Sequence, residues 1–345
     1  MRSLRFLFFF SSLLLLTGCS HFLYLSKMGW RQSFIMSHSV PVEEILNNEN
    51  TSAQWKEKIQ FIQEVKDYGE KKLGLKKTKN YSKFFEVQES ILYVITACEK
   101  DRFQLYTWEF PIMGRVTYKS FFNKEGVLKE KLFLERKGLD TYIQQAAAYS
   151  TLGWLKDPIF SSMMRWNDVT LANLILHEMA HATFYFKNET DFNEQLATFV
   201  GNRGAIDFLI EKFGMESKEV AEANAIQEDD LLFSQWIDQA CQRLSAYYAR
   251  EIARDEKLKG RQEIFRSIRE GFGEIKVRFK TDCYQDFEKL NLNNAVLLAS
   301  RRYIHRLERL KDLYESRGKD LMKVVEFFKK IQASGNKSVI ASFLE

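Results

Sequence analysis

Apolar and polar positions follow three patterns along this 345-residue chain. The first is an unbroken apolar run, Phe6 to Leu16 in MRSLRFLFFFSSLLLLTGCS, headed by Arg2 and Arg5 and too short to cross a bilayer as a helix. The second is helical. In VEEILNNENTSAQWKEKIQFIQEVKDYGEKKLGL, after Pro41, apolar residues recur at helical spacing among charges, and Ser52 is placed to cap the second helix. The third occupies the stretch from Tyr81 to about Asp157. There ILYVITAC, FQLYTWEFPI and TYIQQAAAYS are short runs rich in β-branched and aromatic residues, separated by polar or Gly/Pro turns, as strands are. From about Val169 to the end the helical period returns, and stretches such as EIARDEKLKGRQEIFRSIREGFGEIKVRFK read as solvated helix faces. The expectation is an α+β fold, mostly helical, with a small mixed β-sheet packed on the helix that carries LILHEMAHATF, residues 174–184.

Composition supports this reading and narrows the function. With 45% hydrophobic residues, 29 Phe and only 3 Pro, the chain can bury a large core of long helices packed by aromatic rings. Residues 41–345 read as one domain, with its sheet region at about 81–157 and its helical region at about 169–345. The formal charge of +5 falls to +3 once Arg2 and Arg5 are removed with the leader. Basic residues alternate with acidic ones and no basic cluster is interleaved with aromatics, which argues against a nucleic-acid partner. No obligate protein partner is indicated.

Residues 1–18 read as a signal peptide, and Leu16, Thr17, Gly18 and Cys19 resemble the lipobox of bacterial lipoproteins. Cys19 would then carry the lipid and become the first residue, with 19–40 as anchor and tether to a membrane. By analogy with Gram-negative lipoproteins, Ser20 after it points to the outer membrane of the cell envelope, facing the periplasm. Three cysteines remain, so at most one internal pair can form. Cys98 ends an apolar run and is expected to be a buried thiol, leaving Cys241 and Cys283 as the expected pair; without a CxxC, a cysteine zinc ribbon is excluded.

Chemistry concentrates in LILHEMAHATF. His177 and His181 stand four residues apart, about 40° around a helix, so both imidazoles lie on one face and suit two ligands of one Zn²⁺. Glu178 lies beside them, at the general-base position of an HExxH site. Their helix is otherwise apolar or small, where three ionisable groups are costly unless something satisfies them. A third ligand is required. Glu194 opens a second helical pattern in DFNEQLATFVGNRG, and Ala197 and Gly201 would let that helix approach the first closely. Glu189 and Asp191, on the preceding loop, are competitors. His305 sits among charges and is expected at the surface, while His21 and His38 precede the folded body.

FPIMGRVTYKSFF, GLDTYIQQAAAYSTLGWLKDPIFSSMM, LANLILHEMAH, FNEQLATFVGNRGA and NNAVLLASRRY resemble, in order, successive blocks of the putative bacterial aminopeptidase family of HExxH lipoproteins. The resemblance covers nearly the whole chain after the leader. It implies a gluzincin-type zinc peptidase in which His177, His181 and Glu194 hold the metal and Glu178 is the base. This chain departs from the family in carrying Glu109 where Cys commonly follows the block's tryptophan, here Trp108, which puts a family disulfide there in doubt.

The expected function is hydrolysis of peptides by zinc-activated water, with Glu178 relaying the proton to the leaving amine. Tyr149 and Tyr303 are the candidate oxyanion donors, each with a packed core tyrosine as the plainer reading. Tyr149 lies near the end of QQAAAYS, read as a sheet edge along which an extended peptide could lie. No GxMxN block marks a pocket for a free amino group, so exo- and endopeptidase activity both stay open. The alternative is an envelope lipoprotein that binds metal as a scaffold or interaction protein without turnover; an intact Glu178 argues against it.

Overall fold

The computed structural model describes residues 28–87, 92–110, 114–146, 156–335 and 338–344. Helices dominate. A helix over 28–38 (α1) is followed by α2 (Val42–Asn47), α3 (Ala53–Lys71), α4 (Lys124–Arg136), α5 (Asp168–Thr183), α6 (Thr190–Phe213), α7 (Lys218–Tyr248) and α8 (Arg254–Lys276). The C-terminal part adds α9 (Asn294–Arg302), α10 (Leu307–Ser316), α11 (Leu321–Ser334) and α12 (Ser338–Leu344). The strands are β1 (Val40–Pro41), β2 (Lys83–Phe85), β3 (Leu92–Cys98), β4 (Trp108–Phe110), β5 (Gly114–Val116), β6 (Lys119–Phe121), β7 (Asp140–Ala146) and β8 (Ile159–Phe160). No helix among the described residues is long and apolar enough to cross a membrane.

Local signals account for much of this. Ser52 caps α3 as expected, its side chain accepting from Trp55 N. ILYVITAC contains β3, and TYIQQA contributes β7. In place of the one mixed sheet expected, the strands among the described residues form three small sheets. β6-β3-β7 is antiparallel throughout, with Ile95 opposite Ile143 and Lys119. β1-β2-β8 is mixed and β4-β5 is an antiparallel pair. Every β3 residue except Tyr93 is buried, because the strand has a core on each face. Ile95 and Ala97 join a small core with Val127 and Leu134 of α4, whereas Cys98 belongs to the main core.

The mixed sheet shares the main core with the HExxH helix, as Phe84, Ile159 and Leu176 are all buried in it. The three-stranded antiparallel sheet packs on α4 and α9, while α5 is enclosed by α6, α3 and α7. The reason lies in α5 itself: Val169, Leu171, Ala172, Ile175, Leu176 and Met179 are buried on several faces, so helices surround it. The main core begins before Pro41, since Ile35 of α1 is buried in it.

The cysteines also differ from expectation. Cys98, Cys241 and Cys283 are all free, so the Cys241–Cys283 pair is not formed: Cys241 is buried on α7 and Cys283 is exposed. Cys98 is a buried thiol, as read from its apolar run, and burial pushes its pKa up.

Candidate metal centre

α5 is capped by Asn167, whose side chain accepts from Thr170 N, and ends where Thr183 donates its hydroxyl back to Met179 O. The chain then turns through Asn188, at φ 70°, into α6. Asn193 holds this turn by accepting from Phe186 N and donating to Phe186 O, both at 2.9 Å. Glu194 is the next residue. α6 starts at Thr190, earlier than the sequence pattern suggested, so Asp191 lies in its first turn and not on a loop.

The close approach expected at Gly201 is present. A Cβ there would lie 2.9 Å from the Asn173 carbonyl oxygen and 3.1 Å from His177 Cβ, so only glycine lets the two helices meet this tightly. The same packing carries Glu194 across to the histidines. His177 Nε2 and His181 Nε2 are 3.1 Å apart, and Glu194 Oε2 lies 3.6 Å from the first and 3.3 Å from the second.

These three residues are the group of donors among the described residues that could hold a metal ion. Tetrahedral ligation with bonds of about 2.0–2.1 Å separates neighbouring donor atoms by about 3.3 Å, and the observed separations of 3.1–3.6 Å bracket that value. The donor set of two imidazoles and one carboxylate therefore fits a divalent ion without rearrangement. Burial alone would raise the Glu194 pKa, but the facing His181 and His177 imidazoles outweigh it and hold the carboxyl well below the usual range. Burial likewise pulls His181 down, and Glu194 more than reverses it.

Glu178 is buried and its charge acts on His181 and on the Tyr303 and Tyr81 hydroxyls, which places it at the same centre. Tyr303 reaches it from the end of α9, its ring centroid 6.4 Å from that of His177. Burial, then Glu194, pushes the Tyr303 hydroxyl far up, so it stays protonated at neutral pH. Tyr149 and Cys19 lie outside the described residues. β7, which leads towards Tyr149, is an outer strand of its sheet among the described residues.

Neither competing carboxylate, nor His305, belongs to this donor group. Asp191 accepts from Thr117 Oγ1 at 3.1 Å and pairs with Arg302 Nε at 3.3 Å. Glu189 precedes the first turn of α6 and makes no side-chain cap bond. His305 is buried, contrary to its expected surface position, with Nδ1 2.7 Å from Asp238 and Nε2 facing Arg301; the surrounding charges proved to be its partners.

One contributor was not singled out from sequence. Tyr118 donates to Glu194 Oε1 at 3.1 Å and stacks under the fully buried Arg302, whose guanidinium carbon is 5.1 Å from its ring centre. Arg302 also donates to Thr96 Oγ1 and to the Thr117 carbonyl. The antiparallel sheet thus reaches the centre through the Thr117–Tyr118 turn. Tyr118 lies within the FPIMGRVTYKSFF block, but nothing in that block distinguishes it from 13 other tyrosines in a chain of 14.

Compared with known proteins, residues 23–339 match the model of a family described as "putative aminopeptidase". No curated protein and no solved structure matches the chain.

Proposed function

The chain belongs to the family described as "putative aminopeptidase", a peptidase family, and on that premise we propose that it is a zinc-dependent peptidase of gluzincin type. The observation that carries this reading is the convergence of His177 Nε2, His181 Nε2 and Glu194 Oε2 at tetrahedral spacing beside the buried Glu178. His177, His181 and Glu194 would hold the ion, and Tyr118 would fix the Glu194 carboxylate through its hydrogen bond. Bound there, zinc supplies Lewis acidity to a water and to the peptide carbonyl.

The chain's own residues do the rest. Glu178, one position from a ligand but not itself among the converging donors, takes the proton of the attacking water on its carboxylate. It later returns that proton to the departing amine nitrogen. Tyr303, kept protonated by burial, is the O–H donor for the negative charge that develops on the carbonyl oxygen. Helices close around Glu178 and His181, leaving 8% of each exposed, which limits competing water and strengthens every electrostatic contact.

Glu178→Gln tests this reading. The variant is expected to retain about one equivalent of zinc and the wild-type melting temperature while losing turnover on the order of 10²- to 10⁴-fold. Metal content and hydrolysis of a peptide library should be measured on one sample. Turnover equal to wild type, or a zinc-loaded wild type inert on the whole library, overturns the proposal; the latter outcome favours the scaffold.

We also propose that lipid on Cys19 anchors the protein at the cell envelope, facing the periplasm, on the strength of the lipobox-like Leu16–Cys19 segment. Cys19→Ala should move the protein from the detergent phase to the aqueous phase, and retention in detergent would refute the anchor.

A further inference from the structure

The α5 and α6 stripes that carry the metal ligands continue beyond them. On α5 the face of His181 and His177 runs on to Asn173, Leu174 and Thr170, and on α6 the face of Glu194 runs to Thr198, Asn202 and Ala205. Between these extensions, α7 and the segment at Cys283–Tyr284 lies a cavity of about 560 Å³. Tyr303 lines it and also faces His177, so cavity and metal centre share a wall. The exposed Thr170 and Cys283 stand at its mouth.

Its walls are apolar, from Trp166, Val169, Leu174, Ile226 and Ile304, but its lining includes Asp230 of α7. That carboxylate is buried and accepts from Tyr284 Oη at 2.5 Å and Asn202 Nδ2 at 2.6 Å, both neutral donors. Asn173 in turn donates to Asn202, so a hydrogen-bonded chain runs from the HExxH helix to Asp230. Among the described residues no ion pair gives Asp230 a cation, and its neighbour Asp229 is occupied by Lys280 N, Thr281 N and the Thr281 hydroxyl. A buried carboxylate without a counter-charge is costly. Burial, the principal cause, pushes the Asp230 pKa up to about 6.

We propose that this cavity is a substrate pocket that takes a lysine or arginine side chain next to the scissile bond, with Asp230 receiving the cationic group. The proposal rests on the peptidase reading. The apolar walls suit the methylene stem and the carboxylate suits its charged end. Position selects the side chain over a free α-ammonium as the source of the cation. Glu194 and Asn202 are eight residues apart, about 12 Å along a helix, whereas an α-ammonium stays beside the scissile carbonyl.

The test uses the full zinc-loaded chain and matched peptides that carry lysine or its uncharged isostere norleucine beside the cleaved bond, each with free or acetylated N-termini. In wild type the lysine peptide is expected to exceed the norleucine peptide by at least about tenfold in kcat/KM, acetylated or not. Asp230→Asn should bring that ratio near one. Calorimetric binding of the same peptides to Glu178→Gln reads the preference without turnover. Should Asp230→Asn fold poorly, a bulky maleimide on Cys283 supplies a second perturbation. It should abolish lysine-peptide binding, with Cys283→Ser as the unreactive control. Hydrolysis with no lysine preference overturns the pocket and leaves the peptidase standing. A preference that vanishes on acetylation assigns the cation to the α-ammonium and overturns it too. Asp230-dependent binding of lysine peptides to a wild type that hydrolyses nothing supports the pocket while refuting the peptidase.

Discussion

Asp140 and Glu194 are carboxylates buried to nearly the same degree, 6% and 5% exposed, yet they are satisfied in different ways. Asp140, at the start of β7, receives Arg261 Nη1 at 2.6 Å, Arg261 Nη2 at 3.1 Å and Asn294 N at 3.1 Å. Its partners are tied in turn: Arg261 donates to the Lys100 carbonyl, and Asn294 donates to the Glu99 carbonyl and accepts from Tyr248. The charge of Asp140 is matched within the chain, with Arg261 Nε alone of that guanidinium left unpartnered, and the cluster ties the sheet to α8 and α9. Glu194 instead faces two imidazoles, whose charge depends on a proton, and one tyrosine. The first arrangement is finished by folding alone. The second is a donor group that could hold an ion, as the proposed zinc would require. Burial of an acid therefore says little about function until the permanence of its partners is known.

The contrast can be broken at its structural end first. Asp140→Ala leaves the Arg261 guanidinium buried without its counter-charge and is expected to cost about 3–5 kcal/mol in urea unfolding, the same with or without a chelator. A loss below about 1 kcal/mol would show that the cluster is not a lock. At the other end, zinc at a hundred times its dissociation constant should stabilise wild type by about 2.7 kcal/mol. Glu194→Ala should lose most of that gain in melts with and without zinc, whereas Glu189→Ala and Asp191→Ala should keep it, even though Asp191→Ala also frees Arg302. Equal gains in all three variants would place the third ligand elsewhere. The smallest effect sharpens the comparison within the site. Tyr118→Phe removes the hydrogen bond to Glu194 Oε1 and should weaken zinc about 10- to 100-fold in a competition titration. Unchanged affinity would reduce Tyr118 to packing.

What could be read from the sequence was local or periodic. The i, i+4 spacing of His177 and His181 fixes two donors on one helix face by backbone geometry alone. Glu194 was within reach because Ala197 and Gly201 follow it at helical intervals, and small residues on a shared stripe are what a close helix pair requires; Gly201 meets Asn173 and His177 as that reasoning demands. Ser52 as a cap and Cys98 as a buried thiol were likewise set by their immediate neighbours.

Apart from that one helix pair, what depended on which surfaces meet was decided by the tertiary structure. That the antiparallel sheet packs on α4 and α9, while α5 is packed chiefly by α6 and α3, depended on which whole elements meet. His305 looked like a surface histidine among charges until Asp238 and Arg301 came to it. Tyr118, 76 residues from Glu194, and Asp230, 28 from Asn202, carry no signal in their own neighbourhoods. Periodicity specifies the direction in which a side chain leaves its own element, but a partner distant in the chain is selected by the packing of whole elements, where many weak contacts act at once.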